Sequence, residues 1–252
     1  MLGETARTAG YRLIVRDEVG STMEEARRAL LDGDAGRLWI VARSQNAGRG
    51  RHGRQWGSPP GNLYASLLLV APGPAALAPQ LGFVAGLALH DAASQVLGDA
   101  KRLNLKWPND LLLGRAKTAG LLLEGESRAG QFNVVIGFGV NIASCATDTP
   151  YPAAFLKQIA PSASIEKMLS ALSDAWVKRF EAWQQPGGFG PIREAWLERA
   201  AFLGEDITIR LPEGPLQGRF AGLDPAGRLQ LDTAGGLRAI DAGDLYFAPP
   251  KE

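Results

Sequence analysis

One loop restricts what this chain can become. Residues 43–64 contain Gly48-Arg49-Gly50-Arg51-His52-Gly53, a literal G-x-G-x-x-G. In a dinucleotide-binding unit such a run opens a helix, and an acidic residue follows about 20 positions later. Here Gly57, Pro59, Pro60 and Gly61 follow instead, and no Asp or Glu occurs between Asp34 and Asp91. Proline cannot donate the amide hydrogen bond a helix interior needs, and glycine gives up too much backbone freedom there. The segment is therefore a loop joining two strands, 38–43 (LWIVAR) and 62–70 (NLYASLLLV). A kinase glycine-rich loop lacks its partner motifs, and G-x-x-x-x-G-K-[ST] is absent, which excludes a P-loop.

Arg43, Arg49, Arg51 and Arg54 fall within 12 residues with no acid nearby in sequence. An anionic ligand is expected at such a loop. Glycines let the backbone wrap closely, and each guanidinium forms forked hydrogen bonds to phosphate or carboxylate worth about 1.5–3 kcal/mol. Trp56 is suited to covering an apolar or ring-shaped part of that ligand. The rival reading is a solvated Arg/Gly loop in a nucleic-acid-binding module. Against it, the charge is confined to one loop and the net charge of the chain is only +1.

The remaining sequence is that of a soluble globular protein. The 252 residues allow one large domain, or one domain with a small appendage. Cys145 is the single cysteine, so no internal disulfide forms and a reducing, cytoplasmic compartment is expected. His52, His90 and Cys145 make no zinc-ligand cluster. His52 reads as a surface residue, and His90 as a core or helix-surface one. The start, MLGETARTAG, has no signal-peptide run, and no stretch approaches a membrane span.

Residues 11–16 read as a strand. Ser21-Thr22-Met23-Glu24 fits a capping box, with the Ser21 hydroxyl on the third helical amide and Glu24 reaching back. The helix runs to about Leu31 with Met23, Ala26 and Leu30 on one face. Residues 79–97 are apolar all round and form a buried helix. A strand at 103–107 ends in Pro108-Asn109-Asp110, and short apolar runs at 111–113, 117–126 and 131–142 follow, turned at Gly114-Arg115 and at 128–130. Hairpin connections of this kind make the sheet mixed and largely antiparallel. An irregular loop covers 143–161, and helices follow at 164–184, where Ile165, Met168, Leu172, Trp176 and Phe180 recur at helical spacing, and at 191–201. Beyond Leu203-Gly204, short strands at 207–211, 216–223, 228–232 and 237–241 alternate with Gly/Pro turns. That is a small β barrel, and the fold class is α+β with domains 1–202 and 203–252.

Five motifs then occur in order: Ser21-Thr22; GRGRHGRQW with SPPGNLY; Lys106-Trp107-Pro108-Asn109-Asp110 with Lys117; Gly120-Leu121-Leu122-Leu123-Glu124; and Gly137-Phe138-Gly139-Val140-Asn141. With the C-terminal barrel they make the chain resemble biotin protein ligases over about residues 11–248. The resemblance implies a mixed sheet flanked by helices, followed by an SH3-like domain. It implies that biotin and ATP give biotinyl-5′-AMP and pyrophosphate, and that the biotinyl group passes to a lysine of a biotin carboxyl carrier protein, as in acetyl-CoA carboxylase. Lys117 corresponds to the main catalytic lysine, with Arg51 and Arg54 assisting. Biotin contacts are implied at Ser21, Thr22, Gln45, Gly48, Arg49, Lys117, Gly120 and Leu122. ATP or adenylate contacts are implied at Arg49, Arg51, Arg54, Trp56, Lys106, Asn109, Asp110 and Asn141, with Tyr151 or Phe155 over adenine. Asp110 is the expected indirect contact for Mg²⁺.

The chain departs from the family pattern in three places. Met23 stands where many members have Asn, His52 where Arg is frequent, and the turn at Pro59-Pro60-Gly61 is one residue shorter than in some. Larger members carry an N-terminal DNA-binding domain, for which there is no room before Tyr11, so no DNA binding is expected. A monomer or homodimer is expected, without a membrane partner. Lipoate ligases and octanoyltransferases share the implied fold, but GRGRHGRQW followed by KWPND points to the biotin branch.

Overall fold

The computed structural model describes residues 1–128, 130–241 and, as backbone, 244–247. Ala129 in the expected turn, and residues 242–243 and 248–252 in the expected C-terminal barrel domain, lie outside the described residues.

The larger sheet has seven strands: β1 (Arg12–Val19), β2 (Leu38–Gln45), β3 (Leu63–Val70), β4 (Leu103–Lys106), β5 (Asp110–Leu113), β6 (Ala116–Arg128) and β7 (Gln131–Val140). Their order is β1-β2-β3-β7-β6-β5-β4. β1 runs parallel to β2 and every other pair is antiparallel, so the sheet is mixed.

The period-2 alternation of strands gives this sheet two apolar faces. Trp39 and Val41 on β2 join Leu67, Ile136 and Phe138 in the main core. That face is covered by α3 (Ala78–Leu97) and α4 (Ile165–Gln184), which pack on each other. Leu38 and Ile40 point the other way, to a smaller core with Met23, Ala26 and Leu30 of α2 (Thr22–Leu31). The short helix α2 covers only part of this second face, and the uncovered part is where the cavity forms.

A five-residue helix, α1 (Glu4–Thr8), was not legible in the sequence. It is held from outside: Ser173 Oγ accepts from Gly3 N at 2.9 Å and Asp174 Oδ1 accepts from Ala6 N at 2.9 Å. The capping box is also corrected. Ser21 is the N-cap, but its hydroxyl accepts from Met23 N, and Glu24 turns outward to Arg49 and Arg27. Asp110 opens β5 rather than closing the turn after β4. The last helix, α5 (Phe189–Leu197), stops short of the expected 201. There the chain pairs with β4 instead: Leu105 N donates to Arg199 O at 2.7 Å and Ala201 N donates to Leu105 O at 2.8 Å.

The C-terminal strands are β8 (Asp206–Leu211), β9 (Gly214–Leu223), β10 (Leu229–Thr233), β11 (Gly236–Ile240) and β12 (Asp244–Phe247). They form an antiparallel sheet in the order β11-β10-β9-β8-β12, with a bulge where β9 and β10 shift register at Gln230/Leu231.

Candidate active site

The cavity lies on the α2 side of the large sheet, over a floor stripped of side chains. In register, Gly139 of β7 faces Gly120 of β6, and Gly137 faces Leu122. These alternate glycines sit on one face, and the Trp56 ring lies directly on Gly139 and Gly120. A Cβ at Gly139 would come within 2.5–2.7 Å of Trp56 ring atoms, and one at Gly120 within 3.2 Å of both Trp56 and Lys117. Gly137 makes room for the Met23 thioether, whose Sδ would be 2.8 Å from an added Cβ.

The Arg/Gly loop closes over this floor as a pinched hairpin. Gly50 N donates to Arg54 O at 2.7 Å and Trp56 N donates to Gly48 O at 2.9 Å. His52 (φ 55°) and Gly53 (φ 71°) turn the tip in the left-handed region. Gly48 itself faces into the hairpin: an added Cβ would meet Trp56 O at 2.6 Å and Ser58 Oγ at 2.7 Å, which only glycine avoids.

A polar network forms one end of the cavity. Gln45 Oε1 accepts from Thr22 N at 2.8 Å and from Thr22 Oγ1 at 3.1 Å, while its Nε2 donates to Ser58 Oγ at 3.0 Å. Ser66 Oγ donates to Thr22 Oγ1 at 2.8 Å. Gln45 therefore straps the N-terminus of α2 to the base of the loop. It keeps one amide hydrogen beyond those bonds, directed by groups already fixed in place.

A cationic cluster forms the other end. Lys117 Nζ lies 2.6 Å from Asp110 Oδ1, and Lys106 Nζ lies 3.6 Å from Asp110 Oδ2. The Lys117 ammonium also sits between two aromatic rings, 5.3 Å from the centroids of both Trp56 and Tyr151. Tyr151 reaches it because residues 152–154 run alongside β6: Lys117 N donates to Pro152 O at 2.8 Å and Ala154 N donates to Lys117 O at 2.9 Å. Arg51 Nη1 donates to Asn109 Oδ1 at 3.3 Å, and Asn109 is tied back to β6 through Leu121 O. Both Asp110 oxygens are close to a lysine, and no His, Cys, Asp or Glu trio capable of holding a metal occurs among the described residues. A lone carboxylate so engaged does not fit a metal held by the protein.

Of the residues singled out in the sequence, Ser21, Thr22, Gln45, Arg49, Arg51, Arg54, Trp56, Asn109, Asp110, Lys117, Gly120 and Leu122 line this one cavity. Gly48, Lys106 and Asn141 stand just outside the lining. Lys106 acts on Asp110, and Asn141 Nδ2 donates to Ala154 O at 3.1 Å, holding the strip that carries Tyr151. Tyr151 lines the cavity and Phe155 does not. No acid lies near the loop in sequence, but the fold brings acids to two of its arginines: Arg49 reaches Glu24 Oε1 at 2.6 Å and Glu124 Oε2 at 3.4 Å, and Arg43 Nε lies 3.3 Å from Asp17 Oδ1.

Several contributors were missed. Gly137 and Gly139 were noted only as motif letters, although glycines two apart in a strand mark a bare face. Asn62 was also missed. It is 2% exposed, and its Oδ1 accepts from Ile142 N and Ala143 N, both at 2.8 Å, and from Ser144 N at 3.3 Å. It fixes the start of the loop that ends in Tyr151 and Ala154. An Asn between a Gly/Pro turn and an apolar strand was the available signal.

Residues 21–141 match the model of the biotin/lipoate A/B protein ligase family, and residues 202–247 match that of the biotin protein ligase C terminal domain. A biotin–[acetyl-CoA-carboxylase] ligase of Paracoccus denitrificans is 42% identical over 235 residues, covering 90% of this chain and 97% of that protein. The biotin protein ligase of Aquifex aeolicus in complex with biotin and ATP superposes with a TM-score of 0.80 at 27% identity, covering 93% of this chain and 97% of that one. The Leishmania major biotin protein ligase in complex with biotinyl-5-AMP gives 0.67 at 26%, covering 92% and 99%.

Proposed function

We propose a mechanism from the premise that this chain belongs to the biotin protein ligases, within the biotin/lipoate A/B protein ligase family. It is an ATP-dependent ligase that activates biotin as biotinyl-5′-AMP and transfers it to the lysine of a carboxyl carrier protein, in the cytoplasm. The observation that carries this reading is the position of Lys117, where a hydrogen-bonding slot on one side meets a cationic, aromatic-walled end on the other.

In this reading the ureido ring of biotin takes the end formed by Ser21, Thr22 and Gln45. A polar ring in a mostly apolar slot needs a few fixed polar partners; the strapped Gln45 offers its remaining amide hydrogen, beside the Ser21 and Thr22 hydroxyls. The acyl chain lies along Leu122 and Gly137 beside Met23. Its carboxylate then meets the α-phosphate of ATP, so two anions must approach each other. Lys117, Arg51 and Arg54 offset that repulsion and stabilise the charge that develops as the carboxylate oxygen bonds to phosphorus and the bond to pyrophosphate breaks. Asp110 keeps the Lys117 ammonium aimed, which is a positioning role. Mg²⁺ enters with the triphosphate as part of the nucleotide substrate, and no residue is assigned to hold it. Tyr151 and Asn141 serve the adenine side, and Trp56 separates the acyl and nucleotide halves while excluding water from an acyl-adenylate that hydrolyses readily.

In the second half-reaction the neutral amine of the carrier lysine attacks the acyl carbon. AMP leaves with the electron pair of the acyl–oxygen bond, and the nitrogen gives its proton to solvent. The test is incubation with a carrier domain, biotin and ATP. The carrier should gain one biotinyl group on lysine, in a reaction that stops when ATP is withheld. A carrier that stays unmodified with both substrates present refutes the assignment.

A further inference from the structure

The side chain of Arg49 is not aimed at the cavity's cationic end. It leaves the loop sideways and meets two carboxylates, Glu24 Oε1 at 2.6 Å and Glu124 Oε2 at 3.4 Å. Both acids belong to elements that build the slot. Glu24 sits in the first turn of α2, directly after Ser21, Thr22 and Met23, and Glu124 lies on β6 two residues beyond Leu122. Arg49 is bridged to Gln55 across the hairpin, and the next bond inward fixes Trp56 N to Gly48 O. A tie at Arg49 therefore acts on the Trp56 ring that rests on Gly139.

A second arginine competes for the same atoms. Arg27, three residues along α2 from Glu24, places Nη1 3.6 Å from Glu24 Oε1 and Nη2 2.9 Å from Glu124 Oε2. Those are the two oxygens that Arg49 contacts. Arg27 also lies 3.7 Å from Glu126 Oε2. When the loop lifts, Arg27 stays behind and holds both carboxylates, so the open state leaves no bare pair of like charges. The side chains of Arg49 and Glu24 are 39% and 45% exposed, so the tie is a weak, screened one. Weakness suits a lid that must open once per turnover.

We propose that Glu24 is a positioning residue acting through Arg49 as a latch on the loop, and that Arg27 weakens the latch by sharing its two carboxylates. The role within catalysis rests on the ligase reading above, while the latch itself does not. Glu24→Gln should unlatch the loop and Arg27→Met should tighten it, so the two variants move in opposite directions. Both are surface changes, and unaltered thermal unfolding is the check that each folds.

Two readouts separate the latch from the function. In the protein alone, amide exchange at Gly50 and Trp56 should speed up by about five-fold in Glu24→Gln and slow in Arg27→Met, the factor for a tie near the top of the range for an exposed ion pair. With biotin and ATP but no acceptor, the adenylate should escape correspondingly faster from Glu24→Gln and slower from Arg27→Met. The KM for biotin should move while the rate constant of adenylate formation holds. Adding Glu24→Gln to Arg49→Met should change neither readout further, since the partner is already gone. The proposal is overturned if exchange at Gly50 and Trp56 is unchanged in both single variants, if both move the same way, or if the double variant is additive. If exchange behaves as expected but even the parent protein forms no adenylate, the latch stands and the ligase reading falls.

Discussion

Replacing Asn62 by alanine should destabilise the protein more than any surface change near the site. The side chain accepts from the amides of Ile142, Ala143 and Ser144 and donates through Nδ2 to Ser144 O at 3.0 Å. Ile142 is fully buried, so its amide has no water to turn to once the acceptor is removed. A buried donor left unsatisfied costs about 1–3 kcal/mol. Ala143 and Ser144 are half-buried and recover part of their loss from solvent. The total is about 3 kcal/mol, which in a chain of this size lowers the unfolding midpoint by roughly 6–12 °C. Urea denaturation of parent and variant gives the free-energy difference directly, and a steady-state assay shows where the damage falls. The loop that Asn62 anchors carries Tyr151 to Lys117, so the KM for ATP should rise more than that for biotin. A loss below about 1 kcal/mol, with ATP kinetics unchanged, refutes the view that Asn62 organises this loop.

Three further outcomes are expected. Lys117→Ala should lower adenylate formation by about two orders of magnitude or more, with the unfolding midpoint nearly unchanged, in quench-flow assays of single turnover. Near-normal turnover by the folded variant contradicts the role given to this lysine. Gly139→Ala should push Trp56 off the sheet, because the new methyl lies within 2.7 Å of its ring, and biotin affinity measured by calorimetry should fall. Unchanged affinity rejects Trp56 as a cover. Burial of Asp91 opposes its charge, but the nearby His90, with Nδ1 3.8 Å away, and the hydrogen bond and charge of Arg179 at 2.7 Å outweigh it and hold the carboxyl below the ordinary value. Its contribution to stability is therefore present above the ordinary carboxylate pKa of about 3.9 and lost as pH falls through the lowered folded value. Arg179→Met should move the acid-unfolding midpoint to higher pH; a midpoint that stays put rejects this.

The strands, the long helices and the loop between β2 and β3 were legible because each is written locally. The continuous apolar run of β2, the apolar α3 and the spaced Trp176 and Phe180 of α4 announce their own geometry. The failures came where distant residues decide. α1 is too short to hold itself and exists because Ser173 and Asp174 receive its amides. α5 ends early because residues 199–201 are drawn to β4. Arg49 looked unanswered because Glu24 lies 25 residues before it and Glu124 lies 75 after it. At the site, the loop arginines were legible by type, and the lysines, Asp110 and the amide residues through the family motifs that carry them. The bare floor of Gly137 and Gly139 was not, because what it contributes is the absence of side chains under Met23 and Trp56.

The central claim is that this cavity joins biotin to the α-phosphate of ATP. Exchange of labelled pyrophosphate into ATP tests it without any acceptor protein, since only reversible adenylate formation returns the label. Exchange should require biotin and be lost in Lys117→Ala. Exchange supported by lipoate and not by biotin would contradict it.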